Sequence, residues 1–244
     1  MLVGLGTVIN VGTIILGTTV GVAGGARFPD KLRIQVTDVL GFIVLINAAD
    51  NLRTIWQQPF SSAVPKGWTT LGTLTSLILG GIIGYLLRIE GKLESFGQEI
   101  KVRFGSRHKG DFLTGFMTAS LLFAIGPLAI LGSISDGMHT GTQQLILKST
   151  LDGFAAMAFA TTFGWGVAFS VIPVAIYQLT WTAIGYFLGN ILTQYQIQSL
   201  TAAGGVLLLG IGLRLLNLKT IAVGDLLPAL IFAPFVALAA HQFI

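Results

Sequence analysis

Three charged residues lie in or beside segments where helical structure is expected to break. Asp136 follows the stretch 126–132, in which Pro127 is flanked by glycines and has no backbone N–H to donate to a helix. The carbonyl groups freed by such a break can bind ions or polar solutes. Asp152 follows Lys148 by one helical turn, and we expect it at the start of an apolar helix. Solute binding is one interpretation of the two aspartates, and helix capping is the other.

Other polar residues interrupt apolar surroundings. Asn47 falls inside an apolar run, whereas Asp50, Asn51 and Arg53 after it are better explained as markers of a membrane interface. Because an unpartnered polar or charged group is costly in hydrocarbon, we expect the candidates, Lys148 apart, to approach one polar cavity. The predicted substrate-binding residues are Asn47, Pro127, Asp136, Lys148, Asp152 and Asp225.

The composition requires that lipid be the solvent for most of the chain. Of 244 residues, 53% are hydrophobic and 10% are charged, too few charges for the surface of a soluble domain. A spanning helix needs roughly 20 apolar residues, so this length leaves no room for a separate soluble domain. We therefore predict a single integral membrane domain over residues 1–244, surrounded by membrane lipid.

Apolar runs divide the chain into spans. Those long enough to cross a bilayer lie at 3–24, 37–55, 69–87, 112–132, 149–166, 167–190, 198–216 and 225–243. They predict an all-α polytopic bundle of eight transmembrane helices. Seven is the alternative, because 149–190 is unbroken apart from Gly164, Gly166 and Pro173, which mark either a turn or a kink.

The distribution of basic residues predicts the orientation. Eight crossings place 11 of the 14 Lys and Arg residues on one side, whereas seven crossings place only nine there. The basic side is therefore the cytoplasm, and both termini are expected outside. The longest polar loop, 88–111, then becomes a cytoplasmic connection with an amphipathic surface helix. Arg214 is expected to extend to the same interface, with pairing to an intramembrane carboxylate as the alternative.

Glycine-rich fragments recur along the chain. Residues 83–87 and 184–188 are similar and end oppositely directed spans, so spans 3–5 and 6–8 form a candidate inverted repeat. Chance similarity of apolar, glycine-rich segments is the alternative. Glycines also recur at four-residue spacing, which lets helices approach closely within the monomer or within a homo-oligomer. They are Gly17, Gly21 and Gly25, then Gly80 and Gly84, then Gly185 and Gly189.

Catalytic and nucleic-acid-binding patterns are missing from the sequence. His108, His139 and His241 have no metal-ligand spacing, and the chain has no cysteine and no glycine-rich phosphate loop. The formal net charge of +4 is explained by basic loops between spans. We therefore expect neither an enzyme, nor a cofactor, nor a nucleic-acid partner.

Four segments carry a family resemblance: GLGTVINVG (4–12), GPLAILGSISDG (126–137), KSTLDGFAA (148–156) and VGDLLPAL (223–230). They are similar to the bacterial inner-membrane family typified by YqgA and YdfK, and the likeness covers essentially the whole chain. The resemblance implies an inner-membrane protein of a family often labelled as transport, without an established substrate. It assigns no role to Asn10 or to the candidate residues that lie in these segments.

The residues and the resemblance together predict a secondary transporter or channel for a small polar solute or cation. The alternative is a structural or assembly subunit of a membrane complex. A transporter is expected to contain a polar cavity that reaches the middle of the bilayer. An assembly subunit is expected to have a packed interior and a large apolar face for its partner.

Overall fold

A computed structural model describes residues 2–25, 29–105, 111–189 and 191–243. Within these ranges the chain is helical and has no strand, which confirms the predicted all-α class. The α-helices are α1 (Leu5–Gly25), α2 (Asp30–Leu52), α3 (Trp68–Leu87), α4 (Ile89–Ile100), α5 (Phe112–Ala124), α6 (Pro127–Gly137), α7 (Gln143–Phe163), α8 (Gly166–Phe169), α9 (Val171–Leu188), α10 (Gln194–Leu215), α11 (Val223–Leu226) and α12 (Ala229–His241).

Several helices have the length and composition of membrane spans. Among the described residues, six segments qualify, and the pair α5 and α6 makes a seventh if it is one span. The six are Leu5–Gly25, Lys31–Ser62, Trp68–Leu87, Gly166–Phe187, Gln194–Leu215 and Val223–His241. Helix α7 falls outside this set although its 21 residues extend over about 31 Å. It carries Lys148 and Asp152, and counting it as a span gives the predicted eight.

The predicted helix break at Pro127 is present. Helices α5 and α6 meet at a bend of 62°, and Gly126 between them has φ +127°, in the region that favours glycine. Pro127 is the first residue of α6, where a helix needs no N–H from it. The proline therefore starts a new helix, and the free carbonyl groups expected at a break belong to the end of α5.

The chain forms two compact units. Unit 1 comprises Met1–Leu40, Leu93–Ala124 and Leu128–Ile191, and unit 2 comprises Gly41–Lys92, Ile125–Pro127 and Leu192–Ile244. In unit 1, α7 packs against α1 and α5, and α9 packs against the same two helices. These four helices therefore form a ring, and the side chains buried between them make up the interior of unit 1.

Helices α1 and α7 run in parallel through a seam of small residues. Gly17 of α1 lies against the backbone of Gly153, and four residues later Gly21 lies against Met157. Gly25 continues the series against Thr161. A methyl group on any of these three α1 glycines would overlap the backbone of α7, so the seam depends on their missing side chains.

The chain passes through unit 1 four times. At one end, the N–H of Gly6 in α1 donates to Asp136 in α6, and Leu145 near the start of α7 packs on Gly6. At the other end, Gly166 at the start of α8 lies against Phe112 at the start of α5. Helix α1, the pair α5 and α6, helix α7, and the pair α8 and α9 each run from one end to the other.

Unit 2 also contains four passes. Helix α12 packs against α3 and α10, and Gly80 of α3 lies against the backbone of Ala229. Trp68 and Phe243 meet at one end with ring centroids 5.5 Å apart. Glu90 and Arg214 pair at the other end. The passes are the second half of α2 with the 3₁₀ turns that follow it up to Ser62, helix α3, helix α10, and the pair α11 and α12.

The glycines at four-residue spacing mostly serve packing within the chain. Gly17, Gly21 and Gly25 face α7, and Gly84 faces the backbone of Asp225. Gly185 lies against Ile134, whereas Gly189 has φ +72° and follows the end of α9. A homo-oligomer remains a prediction, and it requires a surface other than these occupied faces.

The loop 88–111 contains the helix expected there. Gly97 and Ile100 of α4 are buried and pack near Phe116, while Lys92 and Glu99 are exposed. This arrangement agrees with the amphipathic pattern of the sequence. Residues 106–110 lie outside the described residues, and the cytoplasmic position of the loop stays a prediction.

Candidate functional site

The centre of the candidate site is an ion pair halfway along α7. Asp152 is the tenth of the 21 residues of this helix, so the expectation that it begins a helix is wrong. The helix starts at Gln143, about 14 Å earlier along the axis. A residue in this position cannot cap the helix, and Asp152 instead forms a salt bridge with Lys148, one turn before it.

Both members of the pair are buried and have further contacts. The exposed fraction is 5% for Lys148 and 7% for Asp152. The amide Nδ2 of Asn10 in α1 donates to Asp152 Oδ2 at 3.0 Å, and Asn10 itself is completely buried. The ammonium group of Lys148 lies 5.9 Å from the centre of the Phe123 ring in α5, within cation–π range. Three of the four ring helices therefore contribute to this cluster.

The glycine seam places Asn10 beside Asp152. Gly153 directly follows Asp152, and Gly17 packs on its backbone. The resulting close approach of α1 and α7 brings a short asparagine side chain within hydrogen-bonding distance of the carboxylate. The motif Asp152-Gly153 thus combines a charged group with the small residue that lets its partner helix approach.

Asp136 contacts α1 one turn before Asn10. Its carboxylate accepts a hydrogen bond from the N–H of Gly6 at 3.1 Å, and the exposed fraction of the residue is 3%. Gly6 lies in the first turn of α1, where backbone N–H groups have no partner within the helix. The capping interpretation is therefore right for Asp136, but the helix that it caps is α1, which lies 130 residues away in sequence.

A set of neutral polar groups in unit 1 has no hydrogen-bond partner. The side-chain amide of Gln178 in α9 is completely buried, and neither its nitrogen nor its oxygen is bonded. The remaining oxygen of Asn10 is in the same state. Four buried hydroxyl groups also lack partners, those of Thr7, Thr18, Thr118 and Thr182. Because buried polar groups in proteins are almost always bonded, these atoms require a ligand, water or a second conformation.

Unit 2 holds a separate polar cluster around Glu90. One carboxylate oxygen of Glu90 accepts from Arg214 at 2.7 Å, and the other accepts from the N–H of Gly224 at 2.6 Å. The N–H of Glu90 donates to Asp225 at 2.9 Å. Asp225 of α11 thus accepts a hydrogen bond from the start of α4, and Glu90 of α4 accepts one from the start of α11. Arg214 pairs with a carboxylate at the start of the loop 88–111, outside the predicted spans, and pairing with an intramembrane carboxylate is not what this contact shows.

The six predicted site residues divide between the two units. Asp136, Lys148 and Asp152 lie together in unit 1, whereas Asn47, Pro127 and Asp225 belong to unit 2. Asn47 is exposed on α2. Convergence on one cavity stays a prediction. Three participants were missing from the predicted set: Asn10, Gln178 and Glu90.

A metal-binding cluster is not part of this arrangement. Among the described residues, no group of three or more His, Asp or Glu side chains is placed to hold a metal ion. The interior of unit 1 offers one ion pair, one capping carboxylate and several neutral hydrogen-bonding groups.

These features define a polytopic α-helical membrane protein with a buried polar cluster. The chain belongs to the family described as "Protein of unknown function (DUF554)", whose model matches residues 5–238. It is 27% identical to the uncharacterized membrane protein YdfK of Bacillus subtilis (strain 168), over 98% of this chain and 97% of YdfK. It is 28% identical to the uncharacterized protein YqgA of Escherichia coli (strain K12), over 94% of each chain. No solved structure matches. The family resemblance expected from the sequence is thereby confirmed.

Proposed function

We propose that this protein moves a small polar solute or ion across the bacterial inner membrane, as a secondary transporter or channel and not as an enzyme. The observation that carries the proposal is the buried Lys148–Asp152 pair, halfway along a helix of membrane-spanning length. Ionisable groups at that depth are costly, and they occur mainly where a solute, an ion or a proton moves. A packed helix without function needs no such pair, because apolar residues of similar size are equally stable there.

The test is flux into proteoliposomes. We expect the purified protein to conduct at least one probe from a panel of amino acids, polyols, urea and monovalent and divalent cations. Asp152→Asn is expected to lower that flux about tenfold or more, since it removes the charge that Lys148 pairs with. Asp50→Asn is the control, because Asp50 is exposed and pairs only with its neighbour Arg53.

Two results contradict parts of this proposal. Absence of flux for every probe from protein that remains folded, together with a co-purifying membrane partner, favours the rival role as a structural or assembly subunit. Normal flux of a confirmed solute by Asp152→Asn at normal protein level keeps transport but shows that Asp152 is not part of the site.

The proposed topology has eight crossings with both termini outside. Four end-to-end passes in each unit support this number, and they include α7 and the bent pair α5 and α6 as single crossings. The parallel packing of α1 and α7 requires an even number of crossings between their starts, and both the eight-crossing and the seven-crossing topology have four there. Reporter fusions after residue 105 and at the C-terminus are expected to place the former in the cytoplasm and the latter outside. A cytoplasmic C-terminus contradicts the eight-crossing topology.

An inverted repeat is part of the same proposal. In the two similar fragments, the glycine occupies comparable surroundings within its own unit. Gly84 packs on the backbone of Asp225, and Gly185 packs on Ile134, two residues before Asp136. Each fragment thus places a glycine beside an aspartate-bearing segment, which supports a common origin of the two packing arrangements.

A further inference from the structure

Lys148, Asp152 and Asp136, the buried charged residues described inside unit 1, already have partners, whereas half-buried Arg33 of α2 keeps a buried Nε without one. Lys148 pairs with Asp152, which also accepts from Asn10. The carboxylate of Asp136 accepts a hydrogen bond from the N–H of Gly6, at the positive end of the α1 dipole. A solute that enters this interior therefore meets few free charges.

The free hydrogen-bonding capacity of the interior is neutral and of both kinds. Gln178 offers an NH₂ donor and a carbonyl acceptor, and the oxygen of Asn10 offers an acceptor. Each free threonine hydroxyl can donate or accept. The exposed fractions of these groups are between 0% and 2%. Such groups match a ligand that also donates and accepts hydrogen bonds.

These neutral groups are distributed through the interior. Thr7, Asn10 and Thr18 lie on one face of α1 and extend over about 16 Å along the axis. Gln178 and Thr182 lie one turn apart on the buried face of α9. Thr118 is on α5. The three helices belong to the ring of unit 1, so its interior carries unpartnered polar groups over half a bilayer thickness.

We infer that the solute of this site is small, uncharged and rich in hydrogen-bonding groups, in the class of water, urea and glycerol. The inference rests on the proposed function and narrows its solute class. A bare cation binds only to oxygen acceptors, so it leaves the NH₂ group of Gln178 unsatisfied. An anion requires a free positive charge, and Asp152 already neutralises Lys148. Arg33 has no carboxylate partner among the described residues, but it lies beside Gly25 at the end of α1 and not between the ring helices. A hydroxyl- or amide-bearing solute satisfies Gln178 and the threonines without separating the ion pair.

The experiment measures volume changes of proteoliposomes by stopped-flow light scattering. Osmotic gradients of sucrose report water flow, and gradients of glycerol or urea report entry of the solute itself. We expect wild-type protein to accelerate at least one of the three well above protein-free vesicles. Gln178→Leu is expected to reduce the accelerated rate about tenfold, because the leucine offers no hydrogen bond and leaves the solute's groups unpaired.

Matched threonine variants separate the site from the helix surface. Thr182→Val removes an unpartnered buried hydroxyl of α9 and is expected to lower the rate several-fold. Thr180→Val removes an exposed hydroxyl on the same helix, bonded to its own backbone, and is expected to leave the rate unchanged. Thr118→Val provides an independent variant on α5 if Gln178→Leu does not fold.

The outcomes distinguish this inference from the proposed function. Flux of rubidium or sodium ions that depends on Asp152, without flux of any neutral probe, overturns the inference and keeps the transport proposal. Neutral flux that is equal in wild type, Gln178→Leu and Thr118→Val also overturns the inference. Absence of flux for all probes overturns both. Flux of water alone that requires Gln178 supports the inference and identifies water as the solute.

Discussion

The Lys148→Met variant is expected to lose about 3–5 kcal/mol of stability, the usual effect of removing one member of a buried ion pair. The side chain of Asp152 has only 10% of its surface exposed, so its charge cannot be solvated when the ammonium group is gone. The hydrogen bond from Asn10 remains, but one neutral donor does not replace a charged partner. Chemical unfolding in detergent micelles, followed by tryptophan fluorescence, measures the loss.

The double variant Lys148→Met/Asp152→Leu serves as the control. Replacing both members by apolar residues removes the unpaired charge, so we expect its stability to return close to that of wild type. Its transport activity is expected to be low, because the carboxylate that holds Asn10 in place is lost together with the charges. This separation of stability from activity is the signature of a functional pair. A single Lys148→Met variant as stable as wild type contradicts the buried pair.

The class of fold could be predicted from the sequence because it depends on the length of apolar runs. Each run needs only its own residues to form a helix. In lipid a segment must satisfy its backbone hydrogen bonds internally, which leaves few structures other than a helix. The break at Gly126 and Pro127 was predictable for the same reason, since proline and glycine act locally. The start of α7 was missed by six residues, because the polar residues Gln143 and Gln144 belong to the helix although they are not apolar.

The candidate site was only partly predictable. Lys148 and Asp152 lie one turn apart in the same helix, so their spacing alone allows the pair. The contact of Asp152 with Asn10 joins residues 142 positions apart. No local pattern specifies such a distant partner. The contact depends instead on which helices pack through their glycines. Gly17 lies against Gly153 only in the folded chain.

Two of the residues that were missed show why polarity alone is a weak guide. Gln178 lies in an apolar helix, where a single glutamine can equally face lipid headgroups or the interior. Its burial is visible only once α9 is placed beside α1 and α5. Glu90 lies at the start of a polar loop, which suggests a solvated side chain. In the structure both carboxylate oxygens of Glu90 instead accept hydrogen bonds, one from Arg214 and one from the N–H of Gly224.

Alanine at Gly17 or Gly21 is expected to destabilise the protein by about 1–3 kcal/mol, the typical effect of overpacking. An added methyl at Gly17 overlaps the carbonyl oxygen of Gly153, and one at Gly21 overlaps that of Met157. Because backbone atoms cannot change rotamer, α1 and α7 must separate to admit the methyl. The separation also lengthens the hydrogen bond from Asn10 to Asp152, so transport is expected to fall together with stability.

Gly12→Ala is the matched control for this seam. Gly12 lies in the same helix, but an added methyl there has no atom within 4 Å, so stability is expected to hold or to rise slightly.

A disulfide provides a direct measure of the α1–α7 distance, since the chain has no native cysteine. In the double variant Thr13→Cys/Gly153→Cys the two Cβ atoms start 3.2 Å apart, slightly closer than in a disulfide, so a shift of a few tenths of an ångström allows the bond. Cross-linking is expected to be efficient in this background and to weaken when Gly21→Ala is added, because the helices move apart. Equal cross-linking and equal stability in Gly12→Ala and Gly21→Ala contradict a close seam.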